Sequence, residues 1–476
     1  MSAYLDKGVR AVILWTLATV PLLFGARHPL VHGTYAAFLL LVCGSWLVFR
    51  YRHVSLRAST FWLPLALIGL VACTALVLPE PVLTLITPIR ATSLAAVRDL
   101  AGVGPVTSIS YYAPRSFFYA LYGLGVLLYF HATVHALISR RFLHHFLWLV
   151  TVVGLFEAVY GLVQVLDPSI GPLWLAEDIA PGSAKGTIIY RNQYALFLNL
   201  CWPLAVALGL SLYDPEEYRN SRNQQGRMAP ALAALLSLAF HKGAVPFWSA
   251  AFMILAVLFS QSRGGIVTLS LVILLYTWLL PLRKRIKCTF FVLLAVFLLG
   301  YGSILGYTDI LSRFEQFANG AQGRFELWLA SLSMFRDHLL TGIGMGGYEY
   351  ISTVYLEGVP DSVWFDRAHN EYLELLIELG LPLMGVVLFW MGRSLIRQWR
   401  LMALIRRDKK SILNMEPLDL AAIGAFSALC AFFLHPFVDF VWRLPANIVY
   451  GVTLLAILQA TQKGYPVPWR TKRSHR

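Results

Sequence analysis

The sequence predicts an all-α polytopic membrane protein with about 12 transmembrane helices and a large, partly helical outer loop between spans 9 and 10. Of its 476 residues, 58% are hydrophobic and only 13% are charged, whereas a soluble domain carries about 25% charged residues. Apolar runs recur along the whole chain. Each is roughly 18–25 residues long, which is the length that crosses a hydrocarbon core of ~30 Å as a helix. The distribution of lysine and arginine supports the same fold class.

These runs give twelve candidate spans with boundaries that are soft by several residues. The spans lie near 9–26, 32–49, 60–78, 115–138, 146–166, 193–212, 246–262, 264–282, 288–306, 371–392, 417–437 and 443–460. With both termini on the inner side, the inner segments hold 27 of the 39 lysines and arginines, and every inner loop is basic. The positive-inside rule favours this orientation. The basic inner connections 213–245 and 393–416 are predicted to be solvated segments that meet anionic lipid headgroups.

The loops divide the chain into three predicted parts. Residues 1–145 hold the first four spans and an outer loop at about 79–114. Residues 146–460 form a core that holds the remaining spans and the largest outer loop, 307–370. A short basic tail follows at 461–476 and lies on the inner side in this topology.

The composition also argues against several other classes of protein. The net charge is +14, and in a membrane protein it is first a topology signal rather than a sign of nucleic-acid binding. The five cysteines stand singly in or beside apolar runs, with no CxxC pair and no Cys/His cluster. The sequence therefore predicts neither a disulfide scaffold nor a zinc site.

Three outer arginines stand close to where spans emerge, against the positive-inside trend. Arg191 lies in GTIIYRNQYALFL, Arg263 in the SQSRGG turn between spans seven and eight, and Arg324 in GRFELWLASLSMF. The planar guanidinium suits phosphate oxygens, so arginines that converge at this interface would hold a lipid-linked pyrophosphate. The alternative is that each side chain snorkels to the lipid headgroups. Arg263 fits that alternative least, because two glycines follow it in a tight turn.

The large outer loop carries an amphipathic segment followed by a glycine-rich turn. Apolar residues recur at helical spacing in 324–340, which predicts a helix that lies on or dips into the membrane. The following stretch, TGIGMGGYEY, superficially resembles a nucleotide-binding loop. Because no strand precedes it and no helix starts at the required place, it instead predicts a tight, irregular turn against another segment.

The stretch AHNEYLELLIELG, residues 368–380, gathers polar groups at the mouth of an apolar run. His369 is a candidate base toward a hydroxyl group, and the alternative is a structural polar contact at the start of a helix. Glu371, Glu374 and Glu378 fall at i, i+3 and i+7 on one helical face. This spacing predicts a face turned to a watery cavity.

Four more ionisable residues fall within predicted spans or close to the end of one, where such residues are functional candidates by default. They are Glu157, His131, His135 and Asp439. Asp439 is expected to pair with Arg443 at the end of a helix. Glu157 is expected to pair with a neighbouring helix, without a specified partner.

Several motifs follow one another in a specific order over about residues 150–460. They are YRNQYALFLNL, SQSRGG, GRFELW with TGIGMGGYEY and AHNEYLELLIELGLPLMG, and finally HPFVDFVWRLPAN. Each motif alone is weak. The ordered set resembles the bacterial O-antigen ligase and O-antigen polymerase superfamily.

The resemblance implies a metal-independent membrane glycosyltransferase without a cofactor. It would work on the periplasmic side of the bacterial inner membrane, with both termini cytoplasmic and no nucleic-acid partner. Its donor would be a glycan on undecaprenyl pyrophosphate, and its acceptor a glycan or the lipid A core. By motif, Arg263 and Arg324 would hold the pyrophosphate, with Arg191 a weaker match. His369 would assist attack by the acceptor hydroxyl.

A departure from the family pattern leaves ligase and polymerase both open. Family ligases often have a His-Asn pair, then glycine after nine residues, and glycine, threonine or tyrosine three positions later. Here His369 and Asn370 reach Gly380 with the right gap, but Leu383 stands at the last position and a glycine follows only at Gly385.

The alternative from another class is a flippase or exporter of lipid-linked glycan. Its arginines would also bind pyrophosphate, but it would need ionisable groups deep along several spans. The concentration of polar residues on the outer side favours the transferase.

Overall fold

A computed structural model describes much of the chain as α-helix. The described residues are 2–50, 54, 56–101, 107–173, 182–213, 243–285, 287–289, 291–292, 296, 300, 327–355 and 366–465. No strand occurs among them. The helices are α1 (Ser2–Leu22), α2 (Pro29–Arg50), α3 (Leu63–Thr74), α4 (Glu80–Ile86), α5 (Pro88–Ala101), α6 (Ala113–Ala136), α7 (Arg140–Leu166), α8 (Arg191–Ser211), α9 (Ala244–Phe259), α10 (Arg263–Leu279), α11 (327–337), α12 (Tyr348–Tyr355), α13 (Glu371–Asp408), α14 (Pro417–Leu434) and α15 (Pro445–Thr461).

The helices confirm an all-helical, polytopic membrane architecture. In the described residues, six segments are long and apolar enough to cross a membrane, namely α2, α6, α7, α8, α13 and α14 with the turn that follows it. Shorter apolar helices, α3, α9, α10 and α15, coincide with four more of the predicted spans. The ninth predicted span, 288–306, lies largely outside the described residues. The total of twelve spans therefore stays a prediction.

The centre of the bundle is α8, which packs against α7, α9, α10, α14 and α15. Its residues are apolar on every side, which is typical of a helix buried all round, and Tyr194 and Phe197 are fully buried. Small residues bring α14 close to it: a Cβ at Gly424 would lie 2.8 Å from the carbonyl oxygen of Pro203. Without such residues, two helix backbones cannot approach so closely in a membrane.

An N-terminal layer formed by α1, α2, α3 and α6 covers one side of this centre. Within it, α2 and α3 both pack on α6. The layer joins the centre through contacts of α6 with α15 and of α1 with α7. Helices on the two sides of the predicted boundary at 145/146 therefore pack against each other. That this boundary separates two functional parts stays a prediction.

The prediction of a polar, solvated connection at 393–416 is wrong for its first part, because α13 continues as a helix to Asp408. Between the basic residues of this segment, apolar residues recur at helical spacing and form one face of the helix. Leu401, Met402 and Ile405 of that face are buried. Amphipathic packing of this kind is enough to keep a basic segment helical.

Near its start, α13 is interrupted at Gly380, which has φ 72° and ψ 167°. The glycine-rich turn between α11 and α12 fills this break. The Ile343 N–H donates to the Ile377 carbonyl oxygen and the Gly344 N–H to that of Glu378, both at 3.1 Å. The predicted tight turn against another segment is therefore confirmed, and α11 confirms a helix within 324–340.

We expect Gly380→Ala to destabilise the protein by about 1–3 kcal/mol, because only glycine adopts such a backbone conformation readily. A Cβ there would also lie 2.7 Å from the Leu340 carbonyl oxygen. Thermal unfolding in detergent measures the effect. Gly385→Ala is the matched control in the same helix, since a Cβ at Gly385 meets no atom within 4 Å. Equal midpoints for the two variants would contradict the role of this break.

Candidate functional site

A cluster of polar residues forms where the N-termini of α8, α10 and α13 meet the connection between α14 and α15. The Asn192 side-chain amide, in the first turn of α8, donates to the Asp439 carboxylate. The Asp439 Oδ1 lies 3.3 Å from Nδ1 of His369, just before α13. At the start of α10, Gly264 is so close to the connection that a Cβ there would lie 2.8 Å from the His435 ring. We call this end of the bundle the His369 face.

The backbone around His369 is fixed from both sides. His369 has a positive φ of 49°, a left-handed conformation in which histidine is one of the more common non-glycine residues. Before it, the Ala368 N–H donates to Glu374 Oε2 at 3.1 Å, and the Ala368 carbonyl accepts from Trp328 Nε1 at 2.9 Å. After it, the Asn370 side chain caps α13 by accepting from the Leu373 N–H at 3.1 Å. The ring is therefore presented from a rigid position.

The His369 ring leans on Phe440, with centroids 4.9 Å apart, and its side chain is 28% exposed. Asp439 is buried, and its Oδ1 also accepts from the Phe440 N–H at 2.8 Å. Burial alone would raise the pKa of Asp439, but the hydrogen bond and charge of His369 outweigh it and hold the pKa below its usual value. Asp439 is thus an ionised partner that orients the His369 ring.

The predicted pairing of Asp439 with Arg443 is wrong. It assumed that a helix would bring positions i and i+4 together. The connection has only a short 3-10 turn, His435–Phe437, so the two residues diverge. Asp439 faces His369 and Asn192, while Arg443 faces the glutamates of α13.

Two of the predicted arginines stand at the starts of helices on this face. Arg191 is the first residue of α8, and Arg263 is the first residue of α10, and both are exposed. The Ser262 side chain caps α10 by accepting from the Gly265 N–H at 3.1 Å. Helix N-termini carry unsatisfied N–H groups and positive partial charge, which favour anions. Arg324, the third arginine, lies outside the described residues.

The glutamate stripe of α13 is not turned to a watery cavity, so that prediction is wrong. Glu371, Glu374 and Glu378 are at most 1% exposed and surround the Arg443 side chain, which is 7% exposed. The Arg443 Nη2 lies 2.7 Å from Glu374 Oε1 and 2.7 Å from Glu378 Oε2. Glu371 Oε1 accepts the N–H groups of Trp442 and Arg443, at 2.9 and 3.1 Å. The stripe joins α13 to the connection before α15.

This ionic network extends to the segments that precede His369. Arg367 Nη1 lies 3.1 Å from Glu374 Oε1, and Arg115 of α6 lies 2.5 Å from Glu349 of α12. Burial alone would lower the pKa of Arg443, but Glu378 and Glu374 raise it above its usual value, so the guanidinium stays charged. Arg367 Nη2 also lies 3.9 Å from Glu349 Oε2, so the network ties α6, α12 and α13 to one another, with Glu374 fully buried and the Arg115–Glu349 pair partly exposed.

Glu157, whose partner the sequence did not identify, holds the segment that leads into α8. Its carboxylate accepts from the Thr187 N–H at 2.8 Å and from Thr187 Oγ1 at 2.6 Å. Gln164, two turns further along α7, donates to the Gly186 carbonyl at 2.9 Å. These contacts fix residues 186–187 against α7. Because Arg191 follows only four residues later, they also fix the position at which α8 begins.

Together, the bundle and its polar end define a multi-pass helical membrane protein with a partly buried His–Asp pair beside two arginine-bearing helix starts. Residues 248–389 match the family model described as O-antigen ligase. Over residues 248–389, this match supports the O-antigen ligase/polymerase superfamily that the motifs predicted. The match includes Arg263, Arg324 and His369, whereas Arg191 and Asp439 lie outside it. No relative among curated proteins matches the sequence significantly.

We expect Arg443→Met to destabilise the protein by about 3–5 kcal/mol, because it leaves buried carboxylates without their cation. Thermal or chemical unfolding in detergent measures the loss. Arg98→Met is the matched control: Arg98 pairs with Glu80, but their side chains are 40% and 53% exposed, and exposed ion pairs contribute about 0–1 kcal/mol. A loss as small as that of the control would show that the network is not needed for stability.

Proposed function

We propose that the protein transfers or polymerises a glycan from undecaprenyl pyrophosphate onto an acceptor hydroxyl at the His369 face. The observation that carries this proposal is the convergence of the His369–Asp439 pair with the N-termini of α8 and α10. The family match supports glycan transfer of the ligase/polymerase type in general. The identity of the donor, the mechanism and the side of the membrane go beyond the family match and are proposed.

Arginine side chains and helix starts suit the donor's pyrophosphate. Arg263 and Arg324 are proposed to hold it, with Arg191 as a further contact. A guanidinium donates two parallel hydrogen bonds to phosphate oxygens, and the helix N-termini add positive partial charge. Charge that grows on the leaving pyrophosphate is stabilised by these fixed donors, the largest effect in many enzymes.

His369 is proposed as the base for the acceptor. With Nδ1 directed to Asp439 at 3.3 Å, Nε2 is left for the substrate. The acceptor oxygen attacks the anomeric carbon, the bond from that carbon to the pyrophosphate oxygen breaks, and the hydroxyl proton passes to Nε2. This single displacement inverts the sugar carbon and releases undecaprenyl pyrophosphate. Asp439 orients the ring and stabilises the protonated form, as in other base–carboxylate pairs.

The proposed location follows from the charge pattern of the sequence. We assign the protein to the bacterial inner membrane, with both termini cytoplasmic and the His369 face periplasmic. The acceptor is a growing glycan for a polymerase or the lipid A core for a ligase. Deleting the gene separates the two: carrier-linked polymer accumulates without a ligase, whereas single repeat units accumulate without a polymerase.

A flippase or exporter of lipid-linked glycan is the second candidate, since its arginines would also bind pyrophosphate. The arrangement of His369, Asp439 and the helix starts on one face favours the transferase. Purified protein in vesicles distinguishes the two. Movement of lipid-linked glycan across the bilayer without a new glycosidic bond would establish the flippase.

We expect His369→Asn to fold and insert normally but to lower the turnover number by about 10²–10⁴-fold, the usual contribution of general base catalysis. Asparagine adopts the positive φ of this position readily, so the backbone is preserved. His369→Ala should lose activity equally. Transfer from purified lipid-linked glycan is the assay, and His145→Ala, an exposed histidine at the other end of the bundle, is the control. Full activity in His369→Asn would remove His369 from the mechanism.

We expect Arg263→Ala and Arg324→Ala each to raise the KM for the donor about tenfold or more, since each removes charge-assisted hydrogen bonds. Lysine at either position should recover little, because a point charge lacks the planar fork. Arg336→Ala, an exposed arginine of α11, is the matched control. Unchanged donor affinity in both variants would instead indicate arginines that only snorkel to headgroups.

A further inference from the structure

A second polar pocket lies at the opposite end of the bundle, which we call the Lys463 face. It has a volume of about 40 Å³. Its polar lining consists of Arg57 and Thr60 before α3, His131 and His135 of α6, and Gln459 and Lys463 at the end of α15. Three separate parts of the chain thus bring basic side chains to one small space.

Among the described residues, no carboxylate forms an ion pair with Arg57 or Lys463 of this pocket. Arg397 of α13 stands beside them and donates to Gln459 Oε1 at 2.7 Å. The Arg397 Nε is buried and has no hydrogen-bond partner among the described residues. Burial, followed by the positive charge of Arg57, lowers the pKa of Lys463.

Asp6, the carboxylate whose charge acts on His135, is already engaged. Asp6 forms an ion pair with Arg50 and accepts from Trp46 Nε1 at 3.1 Å. Arg57, Arg397 and Lys463 thus lie close together, and like charges so close together repel one another unless an anion joins them.

The size and position of the pocket indicate which anion it takes. At roughly 10–15 Å³ per water molecule, about 40 Å³ is enough for a phosphate-sized group. Beside the pocket, the Trp390 Nε1 donates to the Ser59 carbonyl at 2.7 Å and joins α13 to the start of α3. Trp62, three positions after Ser59, and Phe389, the residue before Trp390, are 55% and 63% exposed. Exposed aromatic rings at the ends of spans are typical of the headgroup level of a bilayer.

We propose that this pocket binds the phosphate of an anionic phospholipid, with the acyl chains lying along the apolar sides of α3 and α13. Arg57, Lys463 and Arg397 surround the phosphate, and basic pockets between transmembrane helices are suited to such headgroups. The bound lipid joins α3, α6, α13 and α15 at an end where their own charges repel. The site is independent of the proposed glycan transfer, because it lies at the other end of the bundle from His369.

The test uses the full-length protein in nanodiscs of phosphatidylethanolamine alone or with phosphatidylglycerol. The pocket variant is Arg57→Gln/Lys463→Gln, which keeps the polar side chains and removes two charges. The matched control is Arg141→Gln/Arg407→Gln, which removes two exposed charges from the same end of the bundle outside the pocket. Native mass spectrometry measures retained phosphatidylglycerol, and thermal unfolding measures its stabilising effect.

We expect the natural protein and the control to retain phosphatidylglycerol and to unfold at a higher temperature with it. The pocket variant should bind this lipid about thirtyfold more weakly, given the contribution of each basic residue near an anionic surface. Without phosphatidylglycerol, the variant should unfold at or above the temperature of the natural protein, because a repulsion has been removed. A variant that misfolds would instead unfold at a lower temperature than the natural protein.

Two outcomes would overturn the proposal. One is equal stabilisation of the pocket variant and the control by phosphatidylglycerol. The other is full stabilisation of the natural protein by inorganic phosphate in phosphatidylethanolamine discs, with no added effect of phosphatidylglycerol. The second outcome would assign the pocket to a soluble anion rather than to a membrane lipid.

Discussion

The buried contact of Arg443 with three glutamates is the interaction on which the arrangement of the His369 face depends. A guanidinium and carboxylates out of water are stable only when each is paired and hydrogen-bonded. Arg443 is paired through Nη2 with Glu374 and Glu378, and Glu371 binds the N–H groups of Trp442 and Arg443. Arg443 Nε and Nη1 make no hydrogen bond among the described residues. Because His369 precedes these glutamates and Asp439 precedes Arg443, the network sets the two residues opposite each other.

Sequence reasoning predicted the helices well because the membrane imposes a simple rule on them. A span must be long and apolar, and its backbone must satisfy its own hydrogen bonds. The rule does not apply beyond the apolar run, and α13 shows the consequence. The helix continues through the basic residues to Asp408, because one face of this segment is apolar and packs against the protein even where the segment has left the apolar run. The helix is also interrupted at Gly380, where a turn that is distant in sequence donates hydrogen bonds to its backbone.

The sequence indicated candidate site residues but not the partners that they contact in the structure. His369 and Arg263 were identified because polar groups at the ends of apolar runs are conspicuous, and the structure brings their helix starts together. The partners depend on tertiary contacts between residues about seventy positions apart. Spacing alone predicted an ion pair between Asp439 and Arg443 and a glutamate stripe turned to water. In the structure, the glutamates instead surround Arg443, and Asp439 contacts His369.

The network also separates charges in a way that suits an anionic substrate. The glutamates nearest His369 are held by Arg443 and Arg367 inside the protein, so they add no exposed negative charge beside Arg191 and Arg263. Those arginines stand at helix N-termini on the surface of the same face, where positive partial charge accumulates. A carboxylate stripe turned to water would have opposed the approach of the proposed pyrophosphate donor. Burying it around Arg443 therefore contributes to the electrostatics of the site as well as to the stability of the fold.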